Sequence, residues 1–194
     1  MLWLALVLFI SLAIALLRGG RLTNLGDIHL RMWWLLPLAL ALQVAARFLP
    51  VGADDQGTTL VLLSYLPLLA LVVLNRDRTG MWMAGAGVLM NFTVIIANHG
   101  MPVLSEAAYV ASGFTSTVID FGEGFKHVPL DETSHLVFLA DVIPLRLANI
   151  GQVLSLGDVF LALGLGRFLD HELRKPIRWF KRGARAQAGS ASEL

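Results

Sequence analysis

The sequence predicts an all-α integral membrane protein with about five transmembrane helices, an extracytoplasmic cap of helices and loops, and a last helix broken at its start. Three observations carry this. Of the 194 residues, 56% are hydrophobic and only 15% charged, with a mean hydropathy of +0.69; a soluble domain carries about 25% charged residues. The apolar residues gather in runs near the length that crosses a bilayer. The connections between runs alternate in charge, basic on one side and acidic on the other.

The first run is Met1 to Leu17, with Ser11 as its one polar side chain. A signal peptide places basic residues before its apolar stretch. Here Arg18 and Arg21 follow it, so the run is expected to span. Gly19 and Gly20 end it, and Arg18 to Arg31 is a short basic connection in which Thr23 or Asn24 begins an interfacial turn. The second run, about 32–49, carries Trp33 and Trp34 as interfacial anchors, Pro37 in its first turns and Gln43 mid-run. Gln43 is expected to hydrogen-bond a neighbouring helix.

Pro50 to Gly57 forms a turn-rich loop with solvated Asp54 and Asp55. A third run covers about 58–74, with Pro67 inside it. Asn75 to Gly80 is a tight basic loop. The fourth run, about 81–98, places Ala84, Gly87, Asn91 and Asn98 on one helical face at about 100° per residue. Small and amide residues on a lipid-bound helix face other helices. Asn91 and Asn98 serve there either as interhelical hydrogen bonds or as the lining of a polar pocket with His99.

Positions 100–148 are too long for a plain connection. Aromatic residues such as Tyr109, Phe114, Phe121 and Phe125 alternate with glycine and acid, which argues for a folded cap of short helices. The stretch His135 to Asp141 would lie on the membrane surface, with Asp141 in an interfacial turn. His99, His127 and His135 lack the spacing of a metal site, so no metal or other cofactor is expected. With no cysteine, disulfides and thiolate chemistry are excluded.

The last span is expected at about 150–168. Within it, Ser155-Leu-Gly-Asp158 matches a helix start, a serine with an acid three residues on. A helix starting there meets Arg167 after about 18 Å, short of the roughly 30 Å hydrocarbon core. Asp158 is then either a cap for backbone N–H groups or a carboxylate in a wet pocket that takes a proton or a cation. Positions 1–174 form one transmembrane domain. Positions 175–194 form a basic cytoplasmic tail with a disordered end, and Trp179 and Phe180 suit it to anionic lipid headgroups.

Orientation follows from the basic residues. Arg18, Arg21, Arg31, Arg76, Arg78, Arg167 and the cations from Arg174 to Arg185 fall on one side after five crossings. That side is cytoplasmic. The N-terminus is extracytoplasmic, as are Asp54, Asp55, Glu106, Asp120, Glu123, Asp131 and Glu132.

Several polar marks in apolar settings resemble a known family. They are Gly19-Gly20-Arg21-Leu22, Gln43, Asn91, Ala97-Asn98-His99-Gly100-Met101-Pro102, Leu139-Ala140-Asp141-Val142-Ile143-Pro144 and Ser155-Leu156-Gly157-Asp158. Together they resemble the prokaryotic multi-pass membrane family known as domain of unknown function 5317, along nearly the whole chain. The resemblance implies a bacterial inner-membrane location and brings no activity, substrate or cofactor.

The functional expectation is a non-enzymatic membrane protein. An outward-opening polar pocket of Asn91, Asn98, His99, Asp141, Ser155 and Asp158 would take a small polar group, an ion or a lipid headgroup, with transport as one role for such a pocket. One alternative is an accessory subunit whose polar residues only join helices. Another is a membrane enzyme using Asp141 and Asp158 as acid and base. The expected partners are the lipid bilayer and a second copy or another membrane protein. Nucleic acid is not among them, because no nucleic-acid motif is present.

Overall fold

The computed structural model describes residues 2–46, 48, 54–113, 127–147 and 150–176. Most of these are helical. Five long helices are α1 (Leu2–Leu17), α2 (Leu35–Ala46), α3 (Asp54–Leu74), α4 (Met81–Asn98) and, after a region of short elements, α6 (Leu156–Leu173). Extensive packing joins α1 to α6, α6 to α4, α4 to α3 and α3 to α2. The helices therefore stand in a row with α1 and α2 at its ends.

Neighbours in chain order alternate in direction. Gln43 meets Ser64 while Arg31 meets Asn75, so α2 and α3 are antiparallel. Thr58 meets His99 and Gly85 meets Val72, so α3 and α4 are too. The tight connection from Asn75 to Gly80 fits this reversal. Gly80 holds φ +87°, in the left-handed region where glycine carries no steric penalty.

The tightest helix pair is α4 against α6. Gly80, Ala84, Gly87 and Asn91 face Gly157, Leu161, Gly164 and Phe168. A Cβ on Gly87 would collide with the backbone of Gly157 and Leu161, and one on Gly164 with the backbone of Ala84. Glycine at these positions lets the two backbones touch, as small-residue seams do between helices. On the other flank of α4, Val61, Tyr65, Val88, Val94, Ile95 and Met101 form the apolar core. The Tyr65 and Phe92 rings stand 6.0 Å apart, tilted by 42°.

The all-α expectation is corrected by the region between α4 and α6. It contains α5 (Ser105–Ser112) and two small two-stranded sheets. β1 (Met101–Val103) pairs in parallel with β2 (His127–Pro129), and β3 (Ile143–Leu147) pairs antiparallel with β4 (Ile150–Leu154). Pro102, Pro129 and Pro144 cannot donate a helical hydrogen bond, and β-branched Val103, Val128, Ile143, Ile150 and Val153 favour extended backbone. Val137 and Phe138 are exposed on a short 3-10 turn, Val137–Leu139. Phe114, Phe121, Phe125, Asp120 and Glu123 lie outside the described residues, as does the tail from 177 onward with Trp179 and Phe180.

The helix boundaries also differ from expectation. In the second run Met32 to Trp34 form a turn, Met32 with φ 53°, and the helix is confined to Leu35–Ala46 with Pro37 in its first turn. α3 begins at Asp54, so half of the expected loop is helical. The last helix does not cover 150–154, which is β4. It runs past Arg167 to Leu173 and so reaches about 27 Å rather than 18 Å. Among the described residues two helical stretches, Gln56–Leu74 and Met81–Asn98, are long and apolar enough to cross a membrane, fewer than the five expected. The helical stretches Leu4–Leu17 and Leu35–Ala46 are apolar but shorter. α6 has the length but carries Asp158, Arg167, Asp170 and Glu172.

The seam yields a direct test. Gly87→Ala is expected to lower stability by about 1–3 kcal/mol, the cost of overpacking. Gly26→Ala, whose Cβ would meet open space, is expected to be near neutral. Thermal unfolding of both variants in the same detergent checks the contrast.

Candidate functional site: a polar clasp at the start of the last helix

Ser155 has extended backbone, φ −92° and ψ 166°, and caps α6. Its Oγ accepts from the Asp158 N–H at 3.0 Å. Asp158 reaches back, its Oδ2 accepting from the Ser155 N–H at 3.4 Å. This is a capping box that satisfies orphan donors at the helix start. A carboxylate in the first turn also meets the positive end of the helix dipole.

Asn91 of α4 closes the box from outside. Its Nδ2 donates to Asp158 Oδ1 at 2.8 Å. Its Oδ1 accepts from Ser155 Oγ at 2.9 Å. Ser155 is fully buried, Asn91 is buried, and Asp158 is half-buried. Gly157 makes the approach feasible, because a Cβ there would strike the Asn91 carboxamide. Asn91 lies seven residues before the end of α4, about 10 Å along the helix. An interhelical hydrogen bond between neutral groups in a membrane averages about 0.6 kcal/mol, with a maximum near 1.7. The carboxylate strengthens its own bond beyond a neutral one.

The other expected pocket residues have hydrogen bonds of their own. Asn98 donates to Val94 O at 2.8 Å and to His135 O at 2.9 Å, and accepts from the His135 N–H at 2.6 Å. It fastens the segment after β2 to the end of α4. His99 is exposed and ends α4 with φ 54°; Thr58 Oγ1 donates to its carbonyl at 3.4 Å. Asp141 is buried in extended backbone rather than in an interfacial turn. Its N–H donates to Pro102 O and its carbonyl accepts from the Leu104 N–H, both at 2.9 Å. Its carboxylate stands 3.7 Å from His127 Nε2. Gln43 donates to Ser64 Oγ at 3.1 Å, tying α2 to α3.

The turn that leads into His135 is ordered by Asp131. Side-chain and backbone hydrogen bonds from Thr133, followed by those from Ser134, hold the Asp131 carboxyl below the usual carboxylate range. Because the folded pKa is lowered, this turn is favoured above the ordinary carboxylate pKa and loses that support as pH falls through the lowered value. Among the described residues, no three or more His, Asp or Glu side chains converge as metal ligands would.

Sequence reasoning missed the groups that tie the opposite end of the row. Asn75 is buried and pairs with Arg31 in both directions, accepting from its N–H at 2.8 Å and donating to its carbonyl at 3.0 Å. This repeats the Asn98–His135 arrangement. Asn24 donates to Leu173 O and Lys175 O, each at 2.8 Å, and so caps the end of α6. Buried Glu172 accepts from Arg78 at 3.1 Å and from Lys175. For Asn75 the available signal was its place just after the third apolar run, as Asn98 closes the fourth, which marks a helix end needing side-chain caps.

Four outcomes test these assignments. Asn91→Ala is expected to cost about 1 kcal/mol of thermal stability in detergent. Asp158→Asn keeps an acceptor for the box and is expected to fold, whereas Asp158→Leu is expected to unfold more readily, measured by circular dichroism melts. Asn98→Ala is expected to speed hydrogen exchange around 127–140 and leave α4 and α6 protected, a pattern that mass spectrometry resolves. Thr133→Val is expected to raise the Asp131 titration midpoint, read by carboxyl-carbon NMR.

The chain matches the model of a family of unknown function, DUF5317, over residues 27–169. No curated protein and no solved structure matches it. The matched span holds α2, α3, α4, Asn91, Asn98, Asp141, Ser155 and Asp158, and most of α6. It covers well over half of the 194 residues, and the chain belongs to the DUF5317 family.

Proposed function

We propose that the chain is a multi-pass membrane protein in which α1, α2, α3, α4 and α6 all cross the bilayer. The support is fourfold. The helices alternate in direction, and two of them have the length and hydropathy to cross. Large apolar side chains such as Phe9, Leu40, Leu66, Leu89, Ile96 and Leu163 are exposed along the row. The Arg18–Arg31 connection, the Asn75–Gly80 loop and the end of α6 touch one another at one end of the row. Basic connections at one end mark the cytoplasmic side. The N-terminus is then outside and the C-terminus inside. Local thinning of the bilayer accommodates the shorter α1 and α2 at the ends of the row.

Within this reading the chain acts as a structural or accessory membrane subunit. One observation carries it: Asn91, Ser155 and Asp158 spend their hydrogen bonds on one another. Amides and carboxylates so engaged join helices rather than await a ligand. An accessory role implies a membrane partner, either a second copy or another chain. The half-burial of Asp158 favours a second reading, in which water reaches that carboxylate from outside and a small cation, proton or polar headgroup exchanges for the Asn91 bond.

The membrane reading is checked by carbonate extraction and topology reporters. The chain is expected to stay in the membrane pellet. A reporter active only in the cytoplasm is expected to work at the C-terminus and fail within 50–57. Release by carbonate, or the opposite reporter pattern, contradicts it. A thermal shift of wild type but not of Asn91→Ala on adding a small cation would favour the second reading.

A further inference from the structure

The basic end of the row divides its cations into two sets. Arg31 pairs with Asp77, Arg78 and Lys175 with Glu172, and Arg174 with Asp170. Arg18, Arg21, Arg76 and Arg167 are exposed, and their guanidinium groups have no hydrogen-bond or ion-pair partner among the described residues. Arg167 stands beside Gly80, at the turn that carries Arg76. Trp33, Trp34 and Trp82 are exposed at the same end, 65%, 47% and 66% respectively. Unpaired guanidinium groups at the same helix ends as exposed indoles suit the headgroup layer, where the ring sits at the interface and the cation meets phosphate.

We propose that these four arginines form a binding surface for anionic phospholipid, separate from the C-terminal tail. Asp77, Asp170 and Glu172 are held by the paired cations, and exposed Asp27 is one acid against the four arginines, so the surface keeps a net positive charge. Positive charge beside an apolar, indole-bearing surface complements a lipid with a net negative headgroup and two acyl chains. A zwitterionic lipid matches the apolar part alone. This surface rests on the membrane reading, and its test is chosen to fail independently of that reading.

The full chain in neutral detergent is mixed with equal amounts of phosphatidylglycerol and phosphatidylcholine, and bound lipids are counted by native mass spectrometry. Wild type is expected to prefer phosphatidylglycerol, by about five-fold for each engaged arginine at low salt, and less as salt rises. The variant Arg18→Gln, Arg21→Gln, Arg76→Gln, Arg167→Gln is expected to lose the preference while keeping its helical spectrum. If that variant misfolds, the pairs Arg18→Gln, Arg21→Gln and Arg76→Gln, Arg167→Gln are each expected to lower it in part. A chain with Arg178, Lys181, Arg182 and Arg185 all changed to Gln is expected to keep the preference. Equal binding of the two lipids by wild type overturns the proposal, as does loss of preference in the tail variant alone. A chain that resists carbonate extraction yet shows no lipid preference refutes this surface and leaves the membrane reading standing.

Discussion

The contact between α4 and α6 is backbone against backbone, and the other elements are arranged around it. Small residues at 80, 84 and 87 on one helix and at 157 and 164 on the other remove the side chains that would hold the axes apart. On the proposed membrane reading there is little hydrophobic gain between helices, since lipid is itself apolar, and close packing and hydrogen bonds would carry the association. Such closeness brings the carboxamide of Asn91 within reach of the Ser155–Asp158 capping box. The box fixes where α6 begins, and the amide fixes where that beginning sits on α4. From α6 the row then extends to α1, and from α4 to α3 and α2.

Both ends of the row use one device. An asparagine at the end of a long helix donates to the carbonyl four residues back and pairs in both directions with a distant backbone. Asn75 does this with Arg31, and Asn98 with His135. Each satisfies carbonyls that a helix end leaves open and anchors a loop at the same time. Among the residues expected to line a pocket, Asn91, Ser155 and Asp158 form a clasp between helices, Asn98 holds the segment at His135, and buried Asp141 stands beside His127.

Much of the framework was legible in the sequence because it rests on periodicity. The shared face of Ala84, Gly87 and Asn91 follows from 100° per residue, and the start of α6 from a serine with an acid three residues on. The partner of that face was not legible, since nothing local in 81–98 points to Gly157 and Gly164. The strands between α4 and α6 were missed for a related reason. They are three to five residues long; β1 depends on a partner far along the chain, Met101 with His127, and β3 and β4 form a hairpin whose strands are too short to set a period. Asn98 was placed correctly on its helix, but its partner is a backbone segment some 37 residues away, and no spacing rule reaches that far.

The central claim is that Asn91 and Asp158 are energetically coupled as the clasp of the α4–α6 seam. A double-mutant cycle of Asn91→Ala and Asp158→Ala, with unfolding free energies measured in one detergent, tests it most directly. The account predicts a coupling of about 0.6–1.7 kcal/mol or somewhat more, given the carboxylate. Strictly additive losses, with no coupling beyond error, would contradict it.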